Sequence, residues 1–286
     1  MRPWAVPLVA LALLVAAGCG SAAPVTERGL VRDPADIART PDDALFTVDC
    51  GFSHRSMDDP IVKFRQPGAS HSHDFFGNGA TDAGSTASSL RGRATTCEDK
   101  DDTASYWAPT VSDHGRPVTP TLARAYYRAV VGSDVTRVQA PPAGLQLLAG
   151  DAHAMAPQPT AVVGWGCGFR PRRLAVTPPD DCSVNLPLTL ELHFPDCWDG
   201  RHLASADHRS HAAYSVAGRC PSTHPVAITQ VQLTVVLPLW GDDLDVTLAS
   251  GPVITGHGDF FNTWDQARLD DQVRTCIHAK ANCTIG

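Results

Sequence analysis

The sequence predicts an all-β fold, mainly an antiparallel β-sandwich of jelly-roll type, with long disulfide-tied loops and a short C-terminal helix. Three observations carry that prediction. Leu186, Leu188, Leu190, Leu192 and Phe194 recur at every second position, as do Val231, Leu233, Val235, Leu237 and Leu239. Period two marks a half-buried strand with one apolar face. Eight of the nine cysteines lie beyond residue 45, enough to close four bridges in an oxidising compartment. Convincing helical periodicity is confined to the C-terminus, where Trp264, Leu269, Val273 and Ile277 approximate one apolar face and Thr263 and Gln266 have capping-box spacing.

Taken in order, residues 1–18 read as an export signal: Arg2, then an apolar run over 5–17 too short to span a bilayer. Its end, Leu14-Val15-Ala16-Ala17-Gly18-Cys19, resembles a bacterial lipobox, in which Cys19 is lipidated and becomes the first mature residue. That reading removes the odd cysteine from the pairing problem and anchors the chain to the outer face of the cell membrane. The alternative is an ordinary secretory signal cut nearby. Residues 19–45, rich in Pro, Ala, Asp and Arg without apolar periodicity, read as a flexible tether. A single domain over 46–286 follows.

Within it, residues 45–48 form a short strand-like run into Cys50, and residues 49–60 read as a structured loop ending at Pro60. Residues 106–111 and 145–149 are further strands, punctuated by Pro141-Pro142 and Gly150-Asp151. Residues 122–131 fit helix or strand, and Tyr126-Tyr127 with Val130-Val131 favour strand. Pro238 places the 231–239 strand at a sheet edge or ends it there. Sequence proximity pairs Cys50 with Cys97, Cys167 with Cys182, Cys197 with Cys220 and Cys276 with Cys283. No CxxC pair argues for a thiolate metal site instead. The formal charge of −7 and the lack of a long basic run speak against nucleic acid as a partner.

Three segments concentrate chemistry: His71-Ser72-His73-Asp74, Asp207-His208-Arg209-Ser210-His211 and His257-Gly258-Asp259. In an extended chain His71 and His73 share a face while Asp74 points away, and His257 and Asp259 share a face likewise. His208 and His211 converge on a turn. Phe75-Phe76 and Phe260-Phe261 are placed to brace the two strand segments. His71, His73, His211, His257 and Asp259 thus form a candidate ligand set for a divalent transition metal, zinc or copper.

A metal-free alternative uses a His or Tyr to move a proton and an Arg to neutralise an acidic sugar, as in a polysaccharide lyase or glycan hydrolase. His54, Arg55, His208, Arg209 and Tyr214 are its candidates. The plainer alternative is that these side chains only hydrogen-bond the loops together. His114, His153, His193, His202, His224 and His278 read as surface, turn or strand residues, and no GxSxG context surrounds Ser53, Ser70 or Ser210.

Residues 50–62, 66–78, 194–200, 207–211, 220–226 and 257–262, in that order, resemble the signature of the DUF1996 family. The resemblance runs from about residue 46 to the end of the chain. It implies a secreted or surface protein of the kind found in bacteria and fungi and sometimes joined to carbohydrate-binding modules, and it brings no established activity with it. Together these readings give an expected function: a cell-surface lipoprotein whose composite His/Asp/Arg site acts on or binds extracellular carbohydrate, with or without a metal. The alternative is a non-catalytic glycan-binding or metal-binding surface protein.

Overall fold

The computed structural model describes Met1 and residues 44–171 and 173–285; the expected signal, Cys19 and nearly all of the tether lie outside the described residues. Ten strands make one continuous sheet. They are β1 (Leu45–Ser56), β2 (His73–Gly77), β3 (Ser105–Pro109), β4 (Leu122–Arg128), β5 (Gln146–Gly150), β6 (Val163–Cys167), β7 (Leu188–His193), β8 (Gln230–Val236), β9 (His257–Phe261) and β10 (Asn282–Ile285). All pairings are antiparallel except that of β10 with β1.

The long strand β1 makes two layers out of this sheet. Its first half lies between β4 and β10, its second half pairs with β2, and the register shifts between Phe52 and His54. Such an irregularity bends a strand, so one layer runs β10-β1-β4-β8-β7-β6 and the other β1-β2-β3-β9-β5. Leu190, Leu192, Val231, Leu233 and Val235 from the first layer meet Phe76, Tyr106, Leu147 and Phe260 from the second in one buried core. The approach is close: a Cβ on Gly258 would stand 2.4 Å from a Leu192 methyl, which explains glycine in the middle of β9.

Both alternating strands are buried on both faces. Their apolar sets face the main core, and the opposite polar row is hydrogen-bonded beneath loops: Gln232 donates to Glu191 at 2.8 Å and Arg128 to Gln232 at 3.1 Å. Pro238 falls past the end of β8, which is an interior strand. The helix α2 (Gln266–Gln272) continues as a π-helical turn through Val273–His278. Its cap is Asp265, whose carboxylate accepts from the Arg268 N–H. Thr263 lies two residues before that cap, and its hydroxyl donates to the Thr103 carbonyl. A short helix, α1 (Ala87–Leu90), closed by a Thr86/Ser89 capping box, was not expected.

The four cysteine pairs expected from proximity are the four disulfides present, a number that suits export. Cys197–Cys220 closes the loop carrying residues 207–211. Among the described residues no helix is long and apolar enough to cross a membrane. The outer face of the second layer has a smaller cluster of its own, Phe75, Trp107 and Phe261 with Ile61 and Leu90. This cluster is the floor on which the polar site stands.

Candidate functional site

His73 opens β2 and His257 opens β9, the two strands flanking β3. Phe75 and Asp259 both lie opposite Trp107, and His73 lies opposite Pro109 one step further along the pleat. Alternation therefore puts His73, Phe75, His257, Asp259 and Phe261 on the outer face. The His73 and His257 rings stand 5.7 Å apart by their centroids. His71 enters from the preceding loop, 4.3 Å from the His73 ring and 4.9 Å from the His257 ring.

Backbone carbonyls set the tautomers of two of these rings. His73 Nδ1 lies 3.0 Å from the Asp58 carbonyl and His257 Nδ1 lies 2.9 Å from that of Thr255. A carbonyl only accepts, so each Nδ1 carries the proton and each Nε2 the lone pair. The buried Nε2 of His73 has no partner, and the Nε2 atoms of His71 and His257 are 3.0 Å apart. One ring nitrogen from each of the three lies within 4.8 Å of the others. A tetrahedral ion with bonds of ~2.0 Å spaces its ligands roughly 3.3 Å apart. Imidazoles that ligate metals commonly donate their second N–H to a carbonyl, as here. Burial holds His73 well below the ordinary imidazole range, with His257 and His71 adding to it, and lowers His257 to about 4. His71 is lowered as well, by burial first and then by His153. Neutral rings are the ligating form.

Two carboxylates complete the floor. Asp259 is 1% exposed and neither oxygen has a hydrogen-bond partner; burial, then the neighbouring Asp59, push it well above the carboxylate range. Asp59 accepts the N–H groups of Ile61 and Val62, both at 2.9 Å, on one oxygen. Burial raises it despite those bonds. Asp59, His73 and Asp259 form a second triple of ligand atoms within 4.8 Å.

A cavity of about 370 Å³ opens above, lined by Asp59, His71, His257 and Asp259 below and by Lys63, Asp151, His153, His208 and Arg209 around it. Arg209 donates to the Gly150 carbonyl at 2.6 Å. Asp207 holds this loop in shape: one of its oxygens accepts from the Ser205 and Ser210 hydroxyls and from the Arg209 and Ser210 N–H groups. Those bonds, the Ser205 hydroxyl foremost, keep it far below the carboxylate range. His208 sits in the left-handed region at φ 60°, and among the described residues its ring has no hydrogen-bond partner.

The family model described as "Domain of unknown function (DUF1996)" matches residues 59–264, a span that contains every residue lining this cavity. The chain belongs to the DUF1996 family. No curated protein and no solved structure matches it.

In this DUF1996 chain the three histidine segments meet: His71, His208, Arg209, His257 and Asp259 line one cavity, with His73 beneath. Other candidates lie elsewhere. His211 has both ring nitrogens engaged, with the Gln146 carbonyl at 2.6 Å and the Ser205 hydroxyl at 2.9 Å. It borders a smaller adjoining cavity of about 90 Å³ with Tyr214, whose hydroxyl donates to the His193 carbonyl at 2.8 Å. His54 is likewise tied at both nitrogens, to Ser53 at 2.9 Å and the Thr81 carbonyl at 3.0 Å, and stacks on Phe75 at 4.7 Å. Arg55 grips Asp74 at 2.6 and 3.1 Å and the Val118 carbonyl at 2.7 Å. Sequence reasoning missed Asp59 and the rim residues Lys63, Asp151 and His153. For Asp59 the one local signal is an Asp two residues before an accepted N–H, a turn pattern common to any loop.

Proposed function

We propose that this DUF1996 protein is exported, held at the cell surface through Cys19, and acts on extracellular glycan at a metal centre formed by His71, His73 and His257. The observation that carries the reading is a set of three clustered imidazoles, two with their tautomers set by carbonyls, at the floor of an open polar cavity. Zinc and copper both suit nitrogen donors of this kind. When bound, such an ion supplies Lewis acidity and an activated water.

The remaining roles fall to the chain itself. His208, its ring free at the cavity wall, is placed to move a proton. Arg209 presents a guanidinium at the mouth, where an acidic group of a sugar chain would sit, and Asp207 holds both in place. The polar lining favours a hydroxylated ligand, the four disulfides suit the compartment where such polymers are met, and the family's occasional carbohydrate-binding modules point the same way.

The test is to incubate zinc-loaded and copper-loaded protein with a panel of cell-wall and extracellular polysaccharides. New reducing ends would report hydrolysis and absorbance of unsaturated uronates would report elimination. Product is expected from the native protein and not from a His257→Ala variant with unchanged circular dichroism. A panel that yields neither product nor retained polysaccharide removes the glycan reading.

A further inference from the structure

We infer that the floor of this cavity binds two divalent cations side by side, the second held by Asp59 and Asp259. The inference rests on the metal centre proposed above and extends it. The five donor side chains do not form one group: they fall into two triples, His71/His73/His257 and Asp59/His73/Asp259, that share only His73. Ligands on one ion with bonds of ~2.0–2.2 Å stand at most about 4.4 Å apart even when opposite. The single lone pair of His73 Nε2 serves only one ion, so as placed the donors divide into three imidazoles on one side and two carboxylates on the other.

The second position gathers several unpartnered polar atoms in one place. Asp259 is 1% exposed and His73 fully buried, yet both Asp259 oxygens and the His73 Nε2 have no hydrogen-bond partner. Asp59, 5% exposed, spends one oxygen on two N–H groups and keeps the other. Among the described residues no Lys or Arg forms an ion pair with either carboxylate, and the nearby Arg209 gives its hydrogen bond to Gly150. Carboxylates buried side by side are either protonated or neutralised by a counter-charge, and a cation between them provides the second.

The chemistry of the two positions differs. Three imidazoles suit zinc or copper, whereas a carboxylate pair accepts harder ions such as manganese as readily as zinc. Asp259, with both oxygens free, is placed to hold the second ion through either or both of them. Paired ions about 3.5–4 Å apart are a common arrangement in hydrolytic centres.

The experiment strips the full chain with chelator, titrates it with Zn²⁺ and reads bound metal by elemental analysis and calorimetry. Native protein is expected to hold two equivalents per chain and Asp259→Asn one. One equivalent in native protein overturns the second position and leaves the first standing, whereas none removes the metal centre altogether. Retention of two by Asp259→Asn overturns the assignment to Asp259. Should that variant fail to fold, Mn²⁺ added to native protein decides: a magnetically coupled pair supports the inference, and an isolated-ion spectrum at saturation refutes it. Two bound ions with neither glycan product nor retained polysaccharide would leave this inference intact while removing the glycan reading.

Discussion

Strand β3 separates two buried polar clusters that differ in one respect. On its inner side a relay is complete: Trp264 N–H donates to the Tyr127 oxygen at 2.9 Å and Tyr106 O–H to the Asp102 carboxylate at 2.9 Å. Tyr106 having spent its proton, Tyr127 supplies the one in the 2.6 Å bond between the two hydroxyls. The second Asp102 oxygen accepts the Ala104 N–H at 3.0 Å. On the outer side Trp107 Nε1, His73 Nε2 and both Asp259 oxygens have no partner. A satisfied network specifies a fold, whereas an unsatisfied one at the same depth holds valences for a ligand.

The contrast breaks most readily at Asp102. Replacing it by alanine removes the buried acceptors of the Tyr106 O–H and the Ala104 N–H, and should cost about 4 kcal/mol in urea unfolding. A loss below about 1 kcal/mol would deny the relay its structural role.

The next largest effect is expected from acid on chelated protein. His257 titrates at about 4 when folded and near the ordinary imidazole value of about 6.5 when unfolded. Between those values the unfolded chain binds more protons, so stability is full above the upper one and falls as pH drops through the lower. The contribution of His257 should approach roughly 3 kcal/mol, and His257→Leu should reduce the acid loss while that from the lowered His73 and His71 remains. An unchanged slope in that variant would assign the acid sensitivity to other groups.

Tyr127→Phe interrupts the relay midway and should cost about 2 kcal/mol, because Trp264 N–H loses its acceptor. The smallest change is expected at Asp259→Asn. Stripped of metal, this variant should match native stability within about 1 kcal/mol, since no hydrogen bond is lost. A penalty as large as that at Asp102 would make the two clusters alike and erase the comparison.

Several parts of the site were legible before the fold was known, for local reasons. Alternation alone paired His71 with His73 and His257 with Asp259, and sent Asp74 to the other face, where it meets Arg55. Both phenylalanines of each pair were expected to brace the site, but the pleat splits them, with Phe75 and Phe261 under the site and Phe76 and Phe260 in the main core. His54 and Arg55 were candidates on residue type, but the bend in β1 lays His54 on Phe75 and turns Arg55 to Asp74. The helix start was misplaced by two residues because Thr263 and Asp265 are equally good caps on paper, and in the fold Asp265 is the cap while Thr263 donates to Thr103.

By itself the sequence determined several strands, the cysteine pairs and which neighbours share a face, because each has a local signal. Residues 49–56, read as loop, are strand in β1, and the strand Val163–Cys167 was missed. Only the tertiary structure decided that β2 and β9 flank β3 and that Asp59 meets Asp259 beneath His71. Those contacts join residues up to 200 apart in number. They follow from strand order and from the loop carrying residues 57–72 folding over the sheet, neither of which has a local period to read.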